Sequence, residues 1–274
     1  MRRLFSIVVI LFSVQSFGFA SAEEEPLKTG RYIETIKLSE LFDAGEASAF
    51  GDIMEPDHTI PFNVYVPENY DPENPPGLLV YVSPTKSGQL PKMWEPVMSQ
   101  RNLIWVSVSK SGNGVPALRR IVEASISPAF ITRTHEIDPE RIYVSGFSGG
   151  GKISSLVATY YADLFKGAIY ICGVRPWEHN PPELFEQIKQ NRFVFLSGSQ
   201  DFNLNQTRQI HRRYQEAGVA NIKLMVINNM AHSLPDGEKY NEALSFLDDV
   251  APQPLVTGGW ADSAKPGLNP DYAP

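Results

Sequence analysis

The stretch "RIYVSGFSGGGKISS", residues 141–155, holds two overlapping patterns that carry chemistry in other proteins. Gly146, Ser148 and Gly150 fit G-x-S-x-G, a sharp strand-to-helix turn that presents a serine nucleophile. The segment from Gly146 to Lys152 also fits the phosphate-binding pattern G-x-x-x-x-G-K-[ST], except at its last position. A glycine-rich turn that merely permits close packing is a third interpretation. The stretch therefore poses a choice between a nucleophile, a nucleotide site and a structural turn.

The phosphate loop is the weakest of the three interpretations. It needs a hydroxyl directly after its lysine to hold Mg²⁺. Here Ile153 follows Lys152, and Ser154 comes one position late, about 100° further round a helix. The lysine is better explained as a residue on the helix surface. The pattern thus favours the nucleophile turn, in which Gly150 and Gly151 permit close packing of the helix.

A serine hydroxyl is a poor nucleophile until a histidine, oriented by a carboxylate, takes its proton. In one arrangement these groups follow in the chain order serine, acid, histidine, each on a loop after a strand. The apolar run "RFVFLSG" leads into Asp201, and the next run, "IKLMVIN", leads into His232. Ser148, Asp201 and His232 therefore have the required order and context, and the sequence predicts that they form a triad.

Other side chains compete for these roles but occupy less suitable positions. His58 precedes the main strands, His135 comes before the nucleophile strand, and His211 falls on a predicted helix. His179 lies in a proline-rich loop. The rival acids are Asp236, which is in a turn four residues past His232, and Asp163, which is predicted to be a surface residue.

The elements that must position the triad alternate along the chain. Continuous apolar runs such as "GLLVYVS", "LIWVSVS" and "GAIYICG" are typical of strands buried on both faces. Helical patterns separate them, including a long one from 116 to 134 with Leu118, Ile121 and Val122 on one face. This alternation predicts an α/β fold with a mainly parallel central sheet flanked by helices on both faces. In such sheets the sites lie at the carboxyl ends of the strands.

The first 22 residues, with Arg2 and Arg3 before an apolar run and "ASA" at its end, are typical of a secretory signal peptide. Residues 23–250 are predicted to form one large α/β domain, and 251–274 a Pro/Gly-rich tail. Without the leader, 22 basic and 31 acidic residues give a net charge of −9. This charge argues against binding to nucleic acid, and no further apolar run is long enough for a stable membrane span. We expect a secreted or periplasmic protein.

The histidines are scattered and show no ligand spacing, so the sequence predicts no metal and no cofactor. Cys172 is the only cysteine. This excludes an internal disulfide and favours a buried core thiol. The segment 173–185 fits a cap over the site and a plain loop about equally well. The sequence does not indicate an oligomeric state.

Four segments carry a resemblance to a known group: "FNVYVPENYDPENPPGLLVYVSP", "IDPERIYVSGFSGGG", "SGSQDFN" and "NMAHSLP". Over roughly residues 60–250 the chain resembles secreted serine esterases of the α/β-hydrolase superfamily, of the feruloyl-esterase-like and polyhydroxyalkanoate-depolymerase-like kinds. The resemblance implies an α/β-hydrolase fold. It also implies hydrolysis of a small-molecule or polymer-linked ester through an acyl-enzyme.

The chain departs from this group after the third sheet strand. Members usually have His-Gly there, close to a backbone N–H of the oxyanion hole, whereas this chain has Ser83-Pro84. Proline has no N–H to donate. We therefore expect Thr85, or else Lys86, to supply one donor and Gly149 the other. Two alternatives remain: a serine peptidase of the same fold, and a catalytically impaired hydrolase-fold binding protein.

Overall fold

The computed structural model describes residues 27–48, 50–177 and 182–255, so the predicted leader and most of the predicted tail lie outside the described residues. Eight strands form one sheet in the order β1-β2-β4-β3-β5-β6-β7-β8. The strands are β1 (Gly30–Lys37), β2 (Thr59–Val66), β3 (Gly77–Val82), β4 (Leu103–Val108), β5 (Ile142–Phe147), β6 (Gly167–Ile171), β7 (Arg192–Gly198) and β8 (Ile222–Ile227). Strand β2 pairs antiparallel with β1 and β4, and all other pairings are parallel. The predicted mainly parallel sheet is confirmed.

The apolar strand runs are continuous because both faces of the sheet are covered. Successive side chains of a strand point to opposite faces. In β3, Leu78 and Val80 belong to one buried cluster, whereas Leu79 and Tyr81 belong to another. The two clusters are separate apolar cores, one on each side of the sheet. This accounts for the absence of polar alternation in the strand sequences.

Helices supply the outer layers of both cores. The α-helices are α1 (Leu38–Leu41), α2 (Ala44–Ser48), α3 (Glu95–Gln100), α4 (Ala117–Ser125), α5 (Ser127–Ile131), α6 (Gly149–Tyr160), α7 (Phe185–Gln190), α8 (Leu204–Glu216) and α9 (Gly237–Leu247). Helices α4 to α8 contribute buried residues to the core that contains Leu78, and α3 and α9 to the core that contains Tyr81. The prediction of helices on both faces is confirmed. Within the described ranges, no helix combines the length and apolar character that crossing a bilayer requires.

The long helical pattern predicted from 116 to 134 is wrong as a single helix. It is divided at Ile126 into α4 and α5, with Pro128 in the first turn of the second helix. A proline inside a continuous helix lacks the N–H and clashes with the carbonyl four residues earlier. The three apolar residues grouped on one face of this pattern differ in burial. Ile121 and Val122 are buried, but Leu118 is 42% exposed.

Candidate active site

The turn between β5 and α6 is strained at the predicted nucleophile. Ser148 has φ 54° and ψ −117°, a backbone conformation that residues other than glycine rarely adopt. Its N–H donates to the Ile171 carbonyl at the end of β6 over 2.8 Å, which holds the turn against the neighbouring strand. Such strain costs about 1–3 kcal/mol and persists only where the surroundings enforce it. The geometry is that of a nucleophile elbow.

Glycines allow α6 to begin immediately after this residue. A Cβ on Gly150 would collide with the Val82 carbonyl oxygen, and one on Gly151 with the Gly173 carbonyl oxygen. The first helical turn therefore packs directly against the ends of β3 and β6, as the sequence predicted. A phosphate-binding loop needs an open ring of backbone N–H groups. Here Gly149, Gly150 and Gly151 already belong to α6, so the segment does not form such a loop.

The structure brings Ser148, Asp201 and His232 together. Asp201 follows β7, His232 follows β8, and Ser148 follows β5, so all three lie at the carboxyl edge of the sheet. The Nε2 atom of His232 lies 2.9 Å from Ser148 Oγ, and its Nδ1 atom lies 2.8 Å from Asp201 Oδ1. One imidazole thus bridges the hydroxyl and the carboxylate. In this arrangement the serine hydroxyl can transfer its proton to the histidine while the carboxylate keeps the imidazole ring oriented.

The Asp201 carboxylate is buried but well supplied with donors. Burial opposes its charge, yet hydrogen bonds from Ser197, the Asn203 N–H, His232 and Cys172 outweigh that effect and lower the pKa of Asp201. The Ser197 hydroxyl donates to Oδ2 over 2.6 Å, and the Asn203 N–H donates to Oδ1 over 3.0 Å. The carboxylate is therefore ionised at neutral pH and can stabilise an imidazolium next to it.

Two aromatic rings border the His232 imidazole. The Phe147 ring centroid lies 4.9 Å from it, and the Phe202 ring stacks on it at 4.2 Å. Phe202 is 76% exposed, which is unusual for so large an apolar side chain. It forms an apolar lip at the entrance to the site. The sequence analysis missed this residue, although it directly follows Asp201.

The rival residues occupy structural positions. His58 hydrogen-bonds Arg119, His135 is buried and bonds the Lys28 carbonyl, and His211 packs edge-on against Phe195. Their roles can be explained without chemistry. Asp236 caps α9 by accepting from the Lys239 N–H, and Asp163 is exposed after α6. His179 lies outside the described residues.

The predicted oxyanion donor at Thr85 is already engaged. Its N–H donates to Ser83 Oγ over 3.1 Å, because a serine hydroxyl readily bonds the N–H two residues further on. The Gly149 N–H, in contrast, has no acceptor among the residues that the structure describes, since it opens a helix. The same holds for the Lys86 N–H. Of the predicted donors, Gly149 and Lys86 thus have an unengaged N–H within the described residues, and Thr85 does not.

A side chain that the sequence analysis missed lies beside Gly149. The Asn113 amide covers the Gly149 Cα so closely that an added Cβ would collide with Oδ1 and stand 3.1 Å from Nδ2. The backbone N–H of Asn113 donates to the Pro84 carbonyl over 2.9 Å, which joins its loop to the altered Ser83-Pro84 turn. Its Nδ2 has no acceptor among the described residues. Asn113 therefore offers a donor next to the elbow.

A buried arginine holds these two loops together. Arg120 is only 4% exposed, and its guanidinium donates to the Ser83 carbonyl over 2.7 Å and to the Ser111 carbonyl over 3.0 Å. A third, longer contact of 3.5 Å reaches Asn113 Oδ1. Burial lowers the pKa of Arg120 to about 10, with Glu123 opposing the shift, so it remains charged at neutral pH. The contact to Oδ1 orients the amide with Nδ2 as its free end.

Cys172 completes a cluster of nitrogen, oxygen and sulfur atoms with Asp201 and His232, all within 4.8 Å. Such a set resembles metal ligands, but two of its atoms bond each other at 2.8 Å. Burial, together with the nearby Asp201 charge, raises the pKa of the Cys172 thiol far above its usual range. The Cys172 thiol also donates to the Ser233 carbonyl over 3.6 Å. These hydrogen bonds fit a relay with a supporting thiol.

The segment proposed as a possible cap is partly described. Residues 173–177 continue from β6, and 178–181 lie outside the described residues. Trp177 is buried against Tyr214 of α8 and Phe185 of α7, with ring centroids 4.4 Å and 5.9 Å away. The Arg175 N–H donates to Ser155 Oγ of α6 over 2.9 Å, so the described part of the segment also lies beside the helix that follows the elbow.

Comparison with known proteins supports the fold. No protein-family model matches the chain. Acyl-protein thioesterase 1 from Debaryomyces hansenii is 26% identical over 119 residues, which cover 42% of this chain and 51% of that protein. The chain thus matches about half the length of this curated relative.

Solved structures resemble the chain over a larger part of its length. A putative dipeptidyl aminopeptidase IV from Bacteroides ovatus has a TM-score of 0.57 at 15% identity, covering 81% of this chain and 36% of that one. A ferulic acid esterase has a TM-score of 0.52 at 12% identity, covering 75% and 92%. Together with the strand order, these likenesses show that the chain has the α/β-hydrolase fold.

Proposed function

We propose that the protein is a serine hydrolase that cleaves carboxylic esters through an acyl-enzyme. The observation that carries this proposal is the His232 imidazole, which hydrogen-bonds Ser148 on one side and Asp201 on the other. A histidine held in this way can act as the base that activates a serine. The strained elbow and the carboxyl-edge position of all three residues support the same role.

In the proposed reaction, His232 Nε2 takes the hydroxyl proton as Ser148 Oγ attacks the substrate carbonyl. Asp201 stabilises the resulting imidazolium through Nδ1. The imidazolium then returns the proton to the leaving alcohol, and the acyl group remains on the serine. A water molecule, activated by the same imidazole, releases the acid and restores the hydroxyl. The His232 imidazole thus carries every proton that is transferred in the reaction.

The carbonyl oxygen becomes negatively charged during the attack and needs donors. The Gly149 N–H, which directly follows the proposed nucleophile, has no acceptor among the described residues, and the positive end of α6 adds to its effect. We propose the Asn113 amide nitrogen as the second donor, because it lies beside Gly149 and has no other acceptor in the described chain. This side chain would replace the N–H that Pro84 lacks.

The alternatives are weaker. A peptidase of this fold would use the same triad, and the similar structures include peptidases as well as esterases. The name of the curated relative points to thioesters, which the same chemistry hydrolyses. The hydrogen-bonded triad and the available Gly149 donor speak against an impaired binding protein. We also propose secretion or a periplasmic location, based on residues 1–22, and a single hydrolase domain over 23–250.

The test combines labelling with a comparison of substrates. A fluorophosphonate probe should label the wild-type protein and the control variant Ser39→Ala, which changes an exposed serine, but not Ser148→Ala. The wild type should hydrolyse p-nitrophenyl acetate and butyrate faster than a peptide p-nitroanilide. Labelling that persists in Ser148→Ala would place the nucleophile elsewhere. Turnover of the anilide alone would favour the peptidase.

A further inference from the structure

A cleft begins at Gly149, the residue after the proposed nucleophile, and runs along the first turns of α6. Its cavity volume is about 570 Å³. The other residues that line it are Lys152, Ile153, Arg175, Pro176, Trp177 and Gln206. It therefore opens where one end of a bound ester would lie.

Among the described residues, the lining contains two cations and no acidic side chain. Lys152 lies one helical turn beyond Ser148, and Arg175 follows β6. In the part of the chain that the structure describes, neither side chain forms an ion pair or a hydrogen bond. Two like charges that share a cleft repel each other. The chain has a net charge of −7, and many of its other basic residues pair with carboxylates.

The rest of the cleft fits a short chain that ends in a carboxylate. Trp177, Pro176 and Ile153 provide apolar walls, and Trp177 is fixed by its contacts with the rings of α7 and α8. The Gln206 amide adds a neutral donor. A planar guanidinium and an amide match the two oxygens of a carboxylate. The start of α6 strengthens the positive potential at the same place.

We propose that this cleft binds a free carboxylate on the substrate, so that the preferred esters are half-esters or carboxylated esters rather than neutral ones. This inference rests on the proposed serine hydrolase activity and specifies its substrate class. Lys152 and Arg175 are the residues that determine the specificity. An exposed ion pair strengthens binding up to about fivefold, so two cations together should favour the anionic ester by about tenfold or more in kcat/KM.

The experiment uses two pairs of esters that differ in charge but hardly in shape. In the first pair, p-nitrophenyl hemisuccinate and p-nitrophenyl methyl succinate, the carboxylate is on the acyl side. In the second, 4-acetoxybenzoate and its methyl ester, it is on the leaving group. In at least one pair, the wild type should have about a tenfold higher kcat/KM for the anionic ester. The pair that shows this preference identifies whether the cleft binds the acyl side or the leaving group. The preference should fall in 0.5 M NaCl, because salt screens exposed charges.

Variants connect the preference to the cleft. Lys152→Gln and Arg175→Gln should each lower the anionic-to-neutral ratio severalfold, and the double variant should bring it close to one. Lys37→Gln, which removes an exposed cation on β1 at the far edge of the sheet, should leave the ratio unchanged. Because the ratio compares two substrates on one protein sample, partial unfolding does not alter it.

Two results would overturn the inference: no anionic preference in either pair, or a preference that both glutamine variants retain. These are distinct from failure of the proposed function. If the wild type hydrolyses the neutral esters without preferring the anionic ones, only the cleft assignment is wrong. If it hydrolyses none of the four esters, the proposed hydrolase activity itself is wrong.

Discussion

The Asn113 amide is expected to supply transition-state stabilisation that the Ser83-Pro84 turn does not. The perturbation is Asn113→Asp, which keeps the shape of the side chain but removes its N–H donors. Asn113→Ala removes the group entirely. The structural basis is the position of Nδ2 beside Gly149, together with the engagement of the Thr85 N–H by Ser83. If the amide binds the oxyanion, both variants should react slowly although the triad is intact.

The magnitude follows from the number of donors. Loss of one oxyanion donor costs about 2.7–4 kcal/mol, a decrease of about 10²–10³-fold in kcat. Of the two donors proposed here, only the Gly149 N–H would remain in either variant. The effect should appear in kcat with little change in KM, because the interaction forms only in the transition state. The assay is steady-state hydrolysis of p-nitrophenyl acetate, accompanied by the thermal unfolding midpoint of each variant.

A variant of the neighbouring glycine tests the same Asn113 amide. In Gly149→Ala, the new Cβ would collide with Asn113 Oδ1 and displace the amide, while the N–H of residue 149 is retained. This variant should lose activity to a similar degree. The reasoning is refuted if Asn113→Asp and Asn113→Ala both keep kcat within threefold of the wild type while remaining folded. Thr85 or Lys86 would then have to be the second donor.

Three further outcomes are expected. Asp201→Asn should lower kcat by about 10⁴-fold with its fold intact, as judged by circular dichroism, because the imidazole loses its orienting charge; an equal loss in Asp236→Asn instead would make Asp201 the wrong acid. Gly150→Ala should lower the free energy of unfolding by about 3 kcal/mol in urea titrations, because the new Cβ would collide with the Val82 carbonyl oxygen. The control Gly114→Ala, which has open space around it, should change this free energy by less than about 0.5 kcal/mol. Burial lowers the pKa of His135, so the stability that its neutral form provides should be complete above about pH 6.5 and lost as the pH falls through the folded pKa. Between pH 7 and pH 5, the free energy of unfolding of His135→Gln should therefore fall less than that of the wild type. An equal fall in both proteins would contradict this assignment.

The sheet and the triad could be predicted because both depend on periodic or ordered signals. Strand runs such as β3 are apolar at every position, and this alone indicates burial on both faces. The loops after parallel strands converge on one edge of the sheet. The order of Ser148, Asp201 and His232 after three strands therefore implied a shared location before any distance was known.

The details around the oxyanion site could not be predicted from the sequence because they depend on contacts between distant loops. Arg120 is buried because three oxygen atoms on two loops accept its hydrogen bonds, which no hydropathy pattern encodes. The same pattern grouped Leu118 with Ile121 and Val122 on one face, although Leu118 is 42% exposed and the other two are buried. Asn113 lies in "SGNG", which is typical of a simple turn. The engagement of Thr85 depends on one rotamer of Ser83.

The position of the base within the sheet has a further consequence. His232 follows β8, the outermost strand, whose side chains are mostly only partly buried, whereas Ser148 follows the central strand β5. The His232 and Asp201 loops are joined by the Gln200 N–H, which donates to the Met230 carbonyl over 3.0 Å. Edge strands open at a lower free energy than central ones. Fraying of this edge would separate the imidazole from the hydroxyl while most of both cores remains packed, so heat should abolish turnover before it melts the fold.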